Sequence, residues 1–249
     1  EFRRVLFRSD KAVAALKKSK QSSLVVAGSN HIGVRQLANE LNNLLGAYGS
    51  TIDLANTINL TSNGNTVNLQ ASGNITESSG NMTATNLYLS STNGNIGTSG
   101  QRIQSNVNNL SLSSKGNQFV TQAIDANVAA VTTTNGNGSV DIKTTNGSIT
   151  VATVNGIAGI NADGTGNVAL AASGSNKDVV INNAINSVAG EVNILASRNI
   201  SVGADITTSG NTFLQATTGS ISGAANVAAN NISTSGTWDN SAYFTSTSP

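Results

Sequence analysis

One short pattern returns seven times between residues 56 and 238, and it constrains the fold more than any other feature of the chain. Each copy alternates apolar and polar residues over five positions and ends on a small residue. A pair such as Gly-Asn or Gly-Ser follows, and in most copies an Ile comes next. The first copy is VNLQA at 67–71 with GNI at 73–75, and the last is TFLQA at 212–216 with GSI at 219–221. Alternation with a period of two indicates a β-strand that buries one face.

The central Leu or Ile of each copy is predicted to stack into one ladder inside a solenoid. The residues of this core ladder are Leu69, Leu89, Leu112, Ile142, Leu170, Ile194 and Leu214. Their mean spacing is about 24 residues, within the range that is typical of solenoids. Because a single coil cannot bury its apolar face, consecutive coils must stack in parallel. The pattern therefore predicts an all-β fold, a parallel β-helix solenoid of about seven or more coils.

The residues between the strands predict the corners of this solenoid. Gly with Asn or Ser is expected to supply the positive-φ position at which each strand turns. Asn residues at matching corners are expected to form side-chain ladders along the axis. A helix is not expected in the repeats, since apolar residues lack a 3.6-residue spacing and Gly, Asn, Thr and Ser are poor in helix interiors.

Composition argues against several classes of site. The chain has no Cys and a single His, His31, which disfavours disulfide frameworks, thiolate metal sites and multi-His zinc sites. After residue 20 there are six Lys or Arg against ten Asp or Glu, so the repeats carry no basic footprint for nucleic acid. No apolar run is long enough to span a bilayer. We therefore predict no cofactor, no metal, no nucleic-acid partner and no membrane span.

The first 54 residues differ from the repeats. Residues 1–9, EFRRVLFRS, resemble the translation of a common sequencing adapter and are interpreted as an artefact. Residues 10–54 predict a small α/β segment with a strand, a helix ending near Gly46 and a second strand at 51–54. Residues 22–54 resemble a segment of molybdopterin-dependent oxidoreductases but carry none of that family's cofactor ligands, so no activity is transferred. These features favour the hypothesis that the chain is a chimera of two genes.

Two runs in the repeats carry a different family likeness. SNGNTVNLQASGNI at 62–75 and SGNTFLQATTGSI at 209–221 resemble the repeats of filamentous haemagglutinin-like exoproteins, and the likeness covers about residues 56–235. That family consists of right-handed β-helices that Gram-negative bacteria export by two-partner secretion. The resemblance therefore implies a right-handed solenoid over 56–238. It also implies an internal stretch of a longer protein, with 239–249 as a truncated C-terminal tail.

The resemblance implies a secreted or cell-surface adhesin that forms an elongated fibre for attachment. Its expected partners are a host-cell or matrix receptor or glycan, and an outer-membrane transporter for export. Two alternatives stay open: a carbohydrate-active β-helix enzyme, such as a polysaccharide lyase or hydrolase, and a structural spacer that projects a distant binding or toxin domain.

An enzyme of the carbohydrate-active class needs clustered carboxylates on one outward face, whereas the acids of the repeats are scattered. The best grouping on adjacent coils is Asp141 with Lys143, Lys177 with Asp178, and Glu191 with Arg198. A solvated ladder of charges is the favoured interpretation of this grouping. We therefore expect no enzyme and assign no catalytic, cofactor-binding or metal-binding residue.

Overall fold

A computed structural model describes residues 52–54, 61–132, 136–238 and 243–246. The adapter-like residues 1–9 lie outside the described residues, as does the predicted α/β segment except for its last strand. The described residues form strands and no helix. The strands are β1 (Ile52–Leu54), β2 (Thr61–Ala71), β3 (Ile75–Glu77), β4 (Met82–Ser91), β5 (Ile103–Ser114), β6 (Gln118–Gln122), β7 (Ala126–Thr132), β8 (Val140–Thr144), β9 (Ile149–Val151), β10 (Thr153–Val154), β11 (Ile157–Ala158), β12 (Ile160–Ala162), β13 (Val168–Ala172), β14 (Val179–Ile181), β15 (Ile185–Ser187), β16 (Val192–Ala196), β17 (Ile200–Val202), β18 (Ile206–Thr208), β19 (Thr212–Gly223), β20 (Asn226–Ala229), β21 (Ile232–Trp238) and β22 (Tyr243–Ser246).

These strands wind into a β-solenoid of about eight turns. Strands of successive turns pair in parallel and in register, so that Val168 of β13 lies beside Val192 of β16 and Leu170 lies beside Ile194. The inward-facing residues form one apolar core along the described coils. The prediction of an all-β parallel solenoid is confirmed, while its right-handed winding stays a prediction.

The coil has three sides, which we call sheets 1, 2 and 3. Sheet 1 contains β1, β3, the start of β5, β6, β8, β13 and β16 and the first halves of β19 and β21, and Ile96 joins β3 to β6. Sheet 2 contains the start of β7, then β9, β14, β17 and the end of β19. Sheet 3 contains β2, β4, the second half of β5, the end of β7, and then β12, β15, β18, β20 and β22.

The cross-section of the solenoid changes at β7. Before β7, each turn has one long strand, β2, β4 or β5, and β5 runs from sheet 1 into sheet 3. The start of β7 pairs with β9 through Val128 and Val151, whereas its end pairs with β12 through Ala130 and Ile160. From this point onward each long strand is replaced by two short strands with a corner between them. Sheet 2 therefore exists as a separate side only in the later turns.

The change at β7 divides the predicted core ladder into two. All seven of its residues are buried. However, Leu69, Leu89 and Leu112 stack in sheet 3. The four later residues stack in sheet 1: Ile142, Leu170, Ile194 and Leu214.

The prediction of a single ladder is wrong at the step from Leu112 to Ile142. Leu112 is followed in sheet 3 by Ala130, and Ile142 is preceded in sheet 1 by Val120. The sequence pattern missed these two positions because Ala and Val stand where the other copies have Leu or Ile.

Two buried glutamines satisfy backbone groups near the change in cross-section. Val107 lies in β5 between the part that pairs with β6 and the part that pairs with β7. Its carbonyl accepts a hydrogen bond from the side-chain Nε2 of Gln122, whose Oε1 accepts one from Ser105 Oγ at 2.6 Å. Gln118 Nε2 similarly donates to the carbonyl of Val131 at 2.8 Å. Polar side chains inside the coil thus replace backbone partners where a strand passes from one sheet to another.

One of the later turns contains more residues than the others, and a two-stranded hairpin accounts for part of its length. β10 and β11 pair in antiparallel fashion around Asn155 and Gly156, which have φ of 52° and 78°. Asn-Gly with two positive φ angles is typical of a type I′ hairpin turn. The hairpin lies against β5 and β7, where the outward-facing Ser111 and Ala129 are buried.

A row of glycines lines the corner that leads into sheet 1. The row contains Gly94, Gly116, Gly138, Gly166, Gly190 and Gly210. None of them has a positive φ, so the expectation of a left-handed turn is wrong for Gly94 and Gly116, which follow copies of the repeat, whereas it holds for Gly174, with a φ of 108°. The glycines of the row are needed because neighbouring turns touch here: a Cβ on Gly190 would lie 2.2 Å from the carbonyl oxygen of Gly166.

Asn side chains at the same corner link successive turns. Asn74 Oδ1 accepts a hydrogen bond from the backbone N–H of Asn95 at 2.8 Å, and Asn95 Oδ1 accepts one from Asn117 at 2.7 Å. Asn117 Oδ1 continues the series with the N–H of Ser139 at 2.9 Å. These bonds confirm the predicted Asn ladder and show that it runs from side chain to backbone.

We predict that Gly190→Ala destabilises the protein by at least about 2 kcal/mol, because its methyl group must push apart two hydrogen-bonded turns. Gly100→Ala is the matched control, since a Cβ at Gly100 meets no atom within 4 Å. Urea unfolding followed by circular dichroism measures both variants. Equal unfolding midpoints for the two variants would contradict the close approach of the turns.

Candidate binding surface

The outer face of sheet 1 carries two columns of outward-facing side chains. These side chains alternate with the buried residues of each strand, and parallel register aligns them from turn to turn. The first column is Phe119, Asp141, Ala169, Asn193, Phe213 and Ser233. The second column is Thr121, Lys143, Ala171, Leu195, Gln215 and Ser235.

Two large apolar side chains are exposed on this face. Leu195 is 39% exposed and Phe213 is 42% exposed. They lie on the neighbouring strands β16 and β19 and in different columns, and Leu195 lies beside the small Ala171 of β13. Exposed apolar side chains that lie together on one face are typical of contact surfaces.

A six-residue loop interrupts sheet 1 in an earlier turn. Ile96 pairs with Gln118 and Ile103 pairs with Val120, so residues 97–102 leave the strand and return two positions further along β6. Residues 98–101 are exposed.

Two hydrogen bonds close the loop at its tip. The N–H of Thr98 donates to the carbonyl of Gln101 at 2.9 Å, and the N–H of Gln101 donates to Thr98 Oγ1 at 2.9 Å. The loop therefore presents small polar side chains from a closed turn.

Arg102 fixes the base of this loop on the outer face. Its guanidinium binds both carboxylate oxygens of Asp141 at 2.8 Å, from a side chain that is only 9% exposed. The same group donates to Thr121 Oγ1 at 3.1 Å and to the carbonyl of Val120 at 2.8 Å, and it stacks over the Phe119 ring at 5.7 Å. A bidentate pair with further acceptors holds a guanidinium in one orientation.

Where the chain re-enters the sheet after the loop, the side chain of Glu77 replaces a backbone partner for β5. Its Oε2 accepts a hydrogen bond from the N–H of Gln104 at 2.5 Å, and Glu77 is only 4% exposed. Burial raises the pKa of this carboxyl, and the bond from Gln104 opposes the rise in part. None of the ion pairs described in the structure includes Glu77.

The remaining ion pairs lie at the corner between sheets 1 and 2. Arg198 binds Asp178 with an Nε–Oδ1 distance of 2.9 Å and lowers the pKa of that carboxyl. Lys177 Nζ binds Asp125 Oδ1 at 3.0 Å. The pKa of Asp125 is lowered first by the N–H of Ser148 and then by Lys177.

The structure changes the grouping of charges that the sequence suggested. Asp141 pairs with Arg102 instead of Lys143, Lys177 pairs with Asp125 instead of Asp178, and Arg198 pairs with Asp178 instead of Glu191. Each pair joins different turns, at sequence separations of 39, 52 and 20 residues. The sequence predicted a solvated ladder of charges without assigning ion pairs, and it missed Arg102 because this residue belongs to no copy of the repeat.

Two further observations concern possible sites. Within the described ranges, no group of three or more His, Cys, Asp or Glu side chains could hold a metal ion. The described part of the chain also has no helix that is long and apolar enough to cross a membrane.

Comparison with known proteins leaves the family open. No protein-family model, no curated protein and no solved structure matches this chain significantly. The fold and the outer face of sheet 1 are therefore interpreted from their own geometry.

We predict that Arg102→Ala lowers the free energy of unfolding by about 1–3 kcal/mol, because the nearly buried guanidinium is removed and its five acceptor atoms lose their bonds. Arg198→Ala removes an exposed pair and should change stability little. Urea unfolding of both variants measures the difference. Similar losses in both would show that the Arg102 contacts do not hold the outer face together.

We predict that Glu77→Gln stabilises the protein near neutral pH, because it keeps the acceptor for Gln104 and removes a buried charge. The raised pKa of Glu77 makes its stabilising contribution complete below the ordinary glutamate pKa, and this contribution is lost as the pH rises through the raised value. Urea unfolding at about pH 4 and about pH 7 measures the effect. The advantage of the variant should appear only at the higher pH, so a constant difference between the proteins would contradict the burial of this charge.

Proposed function

We propose that this chain is an internal repeat region of a secreted or surface-exposed bacterial adhesin, which forms an elongated fibre for attachment. The observation that carries the proposal is the parallel stack of about eight turns. Parallel stacking extends the molecule along one axis at about 4.8 Å per turn, and each added turn lengthens it. The likeness of the repeats to filamentous haemagglutinin-like exoproteins supports the same role.

The loop at 97–102 is the proposed attachment site. Insertions in solenoids commonly map to the binding face. Here the exposed Ser99 and Gln101 offer a hydroxyl and an amide on a closed turn whose base Arg102 holds. Such groups suit the hydroxyls of a glycan or the backbone of a matrix protein. Because the base is held in one orientation, little conformational entropy would be lost on binding.

An enzymatic role is not proposed for these coils. A polysaccharide lyase or hydrolase needs carboxylates that are available to the substrate. Asp125, Asp141 and Asp178 instead bind Lys or Arg side chains of other turns. These contacts support a structural role for the charges.

Export through an outer-membrane transporter is part of the same proposal. The absence of Cys from the sequence suits passage in an unfolded state, because no disulfide would obstruct it.

The attachment role is tested by binding of the full chain to host cells, matrix proteins and a glycan array. We expect binding that falls at least about tenfold in Ser99→Ala/Gln101→Ala, which corresponds to about 1.4 kcal/mol. Ser233→Ala/Gln215→Ala is the matched control, since it removes the same two groups from exposed positions elsewhere on sheet 1. Binding to none of these targets would favour the spacer, and depolymerisation of a polysaccharide by the chain would favour the enzyme.

A further inference from the structure

Asn-Gly pairs are places where the backbone of a protein can react with one of its own side chains. Glycine has no Cβ to shield its nitrogen, so this nitrogen can reach the side-chain amide carbon of the preceding Asn. The chain contains six such pairs, which begin at residues 63, 93, 135, 137, 146 and 155. The structure describes both residues and their burial for four of them, which are the pairs of Asn93, Asn137, Asn146 and Asn155.

Two of these pairs have a buried glycine whose nitrogen is already bonded. The N–H of Gly94 donates to Ser91 Oγ at 3.1 Å. The N–H of Gly147 donates to the carbonyl of Ser173 at 3.1 Å. A nitrogen that is packed and bonded in this way is not free to attack the neighbouring side chain.

The pair of Asn137 and Gly138 is held on both sides. Gly138 is buried, and a Cβ there would lie 2.3 Å from the carbonyl oxygen of Gly116 in the previous turn. Asn137 Oδ1 accepts a hydrogen bond from the N–H of Thr165 at 3.1 Å. The amide that would have to react is therefore fixed between two turns.

The fourth pair, Asn155 and Gly156, is open to solvent. It forms the tip of the hairpin of β10 and β11, and both residues are exposed. A Cβ on Gly156 would meet no atom within 4 Å. Among the hydrogen bonds described in the structure, none includes the side chain of Asn155 or the N–H of Gly156.

We propose that Asn155 is a site of spontaneous deamidation, the fastest of the four pairs, and that the isoaspartate formed there loosens the hairpin from β5 and β7. The nitrogen of Gly156 bonds to Cγ of Asn155, the Cγ–Nδ2 bond breaks, and ammonia leaves with the proton of the Gly156 N–H. Water then opens the cyclic imide at either carbonyl and leaves aspartate or isoaspartate at position 155. The proposal does not depend on the attachment role.

The local stability of the hairpin sets the rate of this reaction. Asn155 and Gly156 have φ of 52° and 78° in the closed turn, so ring closure has to wait until the turn opens. Only two residue pairs close the hairpin, Thr153 with Ala158 and Val154 with Ile157. So short a hairpin opens at a low free-energy cost, whereas the corner glycines are released only when neighbouring turns separate.

The two products affect the hairpin differently. Aspartate keeps the turn, because Asp-Gly fits type I′ as well as Asn-Gly does. Isoaspartate carries the main chain through its former side chain, and this adds one CH₂ group to the backbone of the turn. Since a two-residue turn fixes the register of its strands, the longer backbone disrupts the pairing of β10 with β11.

Loosening of the hairpin uncovers part of the outer face of β5 and β7. The outward-facing Ser111 is 2% exposed, and Ala129 and Val154 are also buried although neither belongs to the inward core. The hairpin lies against β5 and β7, so it covers Ser111 and Ala129 and buries its own Val154 there. The change is one-way, because the ammonia is lost to solvent.

The site is tested by incubating the full chain in heavy-oxygen water at mildly alkaline pH, with peptide mapping by mass spectrometry at intervals. Each deamidation in this solvent leaves a heavy oxygen at its site. We expect Asn155 to react at least about tenfold faster than Asn93, Asn137 and Asn146, the ratio that ~1.4 kcal/mol of opening free energy produces. In urea the four rates should become similar. An equal or faster reaction at one of the other three sites in the folded protein, or an order of rates that persists in urea, would overturn the proposal.

The effect on the hairpin is tested with a single thiol. The sequence contains no Cys, so Ser111→Cys places the only thiol under the hairpin. We expect a thiol reagent to label aged protein several-fold faster than fresh protein. Ser111→Cys/Asn155→Gly is the matched control, since Gly-Gly also fits a type I′ turn and cannot deamidate, so ageing should not change its labelling.

Two results of the labelling would contradict the loosening of the hairpin. One is an unchanged labelling rate in aged protein that mass spectrometry shows to contain isoaspartate at position 155. The other is an equal increase on ageing in the Asn155→Gly control. Ala129→Cys gives the same measurement from β7 if Ser111→Cys does not fold.

Discussion

The contact between one turn and the next at the corner before sheet 1 is the constraint on which the rest of the solenoid depends. Parallel strands must lie about 4.8 Å apart to share backbone hydrogen bonds. At this corner the chain can come so close only because glycine follows glycine, with the carbonyl of Gly166 where a side chain of Gly190 would lie. The following residue adds a bond between turns, as Asn74 does to Asn95. The corner thus sets the register in which the core residues stack.

Where this regular stack is interrupted, polar side chains take the place of backbone partners. Inside the coil, Gln122 binds the carbonyl of Val107 at the point where β5 passes from one sheet to another. Beside the inserted loop, the carboxylate of Glu77 accepts the N–H of Gln104. Both side chains are buried, and both satisfy groups whose desolvation would otherwise destabilise the fold. The free-energy cost of burial differs between the two side chains, because Glu77 brings a charge into the interior and Gln122 does not.

The outer face of sheet 1 divides into two parts with different chemistry. The earlier turns carry the loop at 97–102, which the contact between Arg102 and Asp141 fastens to the strands below. The later turns lack such an insertion and expose Leu195 and Phe213 on a flat sheet. The first part presents polar side chains on a closed loop, and the second presents apolar side chains. A solenoid can carry both because each turn contacts only its neighbours.

The sequence by itself determined the fold class, the parallel stacking and the burial of every central Leu or Ile, because a period of two and a repeat near 24 residues permit few other arrangements. Only the tertiary structure decided that Leu112 and Ile142 belong to different ladders. The same Gly-Asn or Gly-Ser motif occurs at two different corners, so it does not reveal which side of the coil a strand occupies. The partner of Arg102 likewise could not be predicted from the sequence, because Asp141 lies 39 residues away and only the winding of the solenoid brings the two residues together.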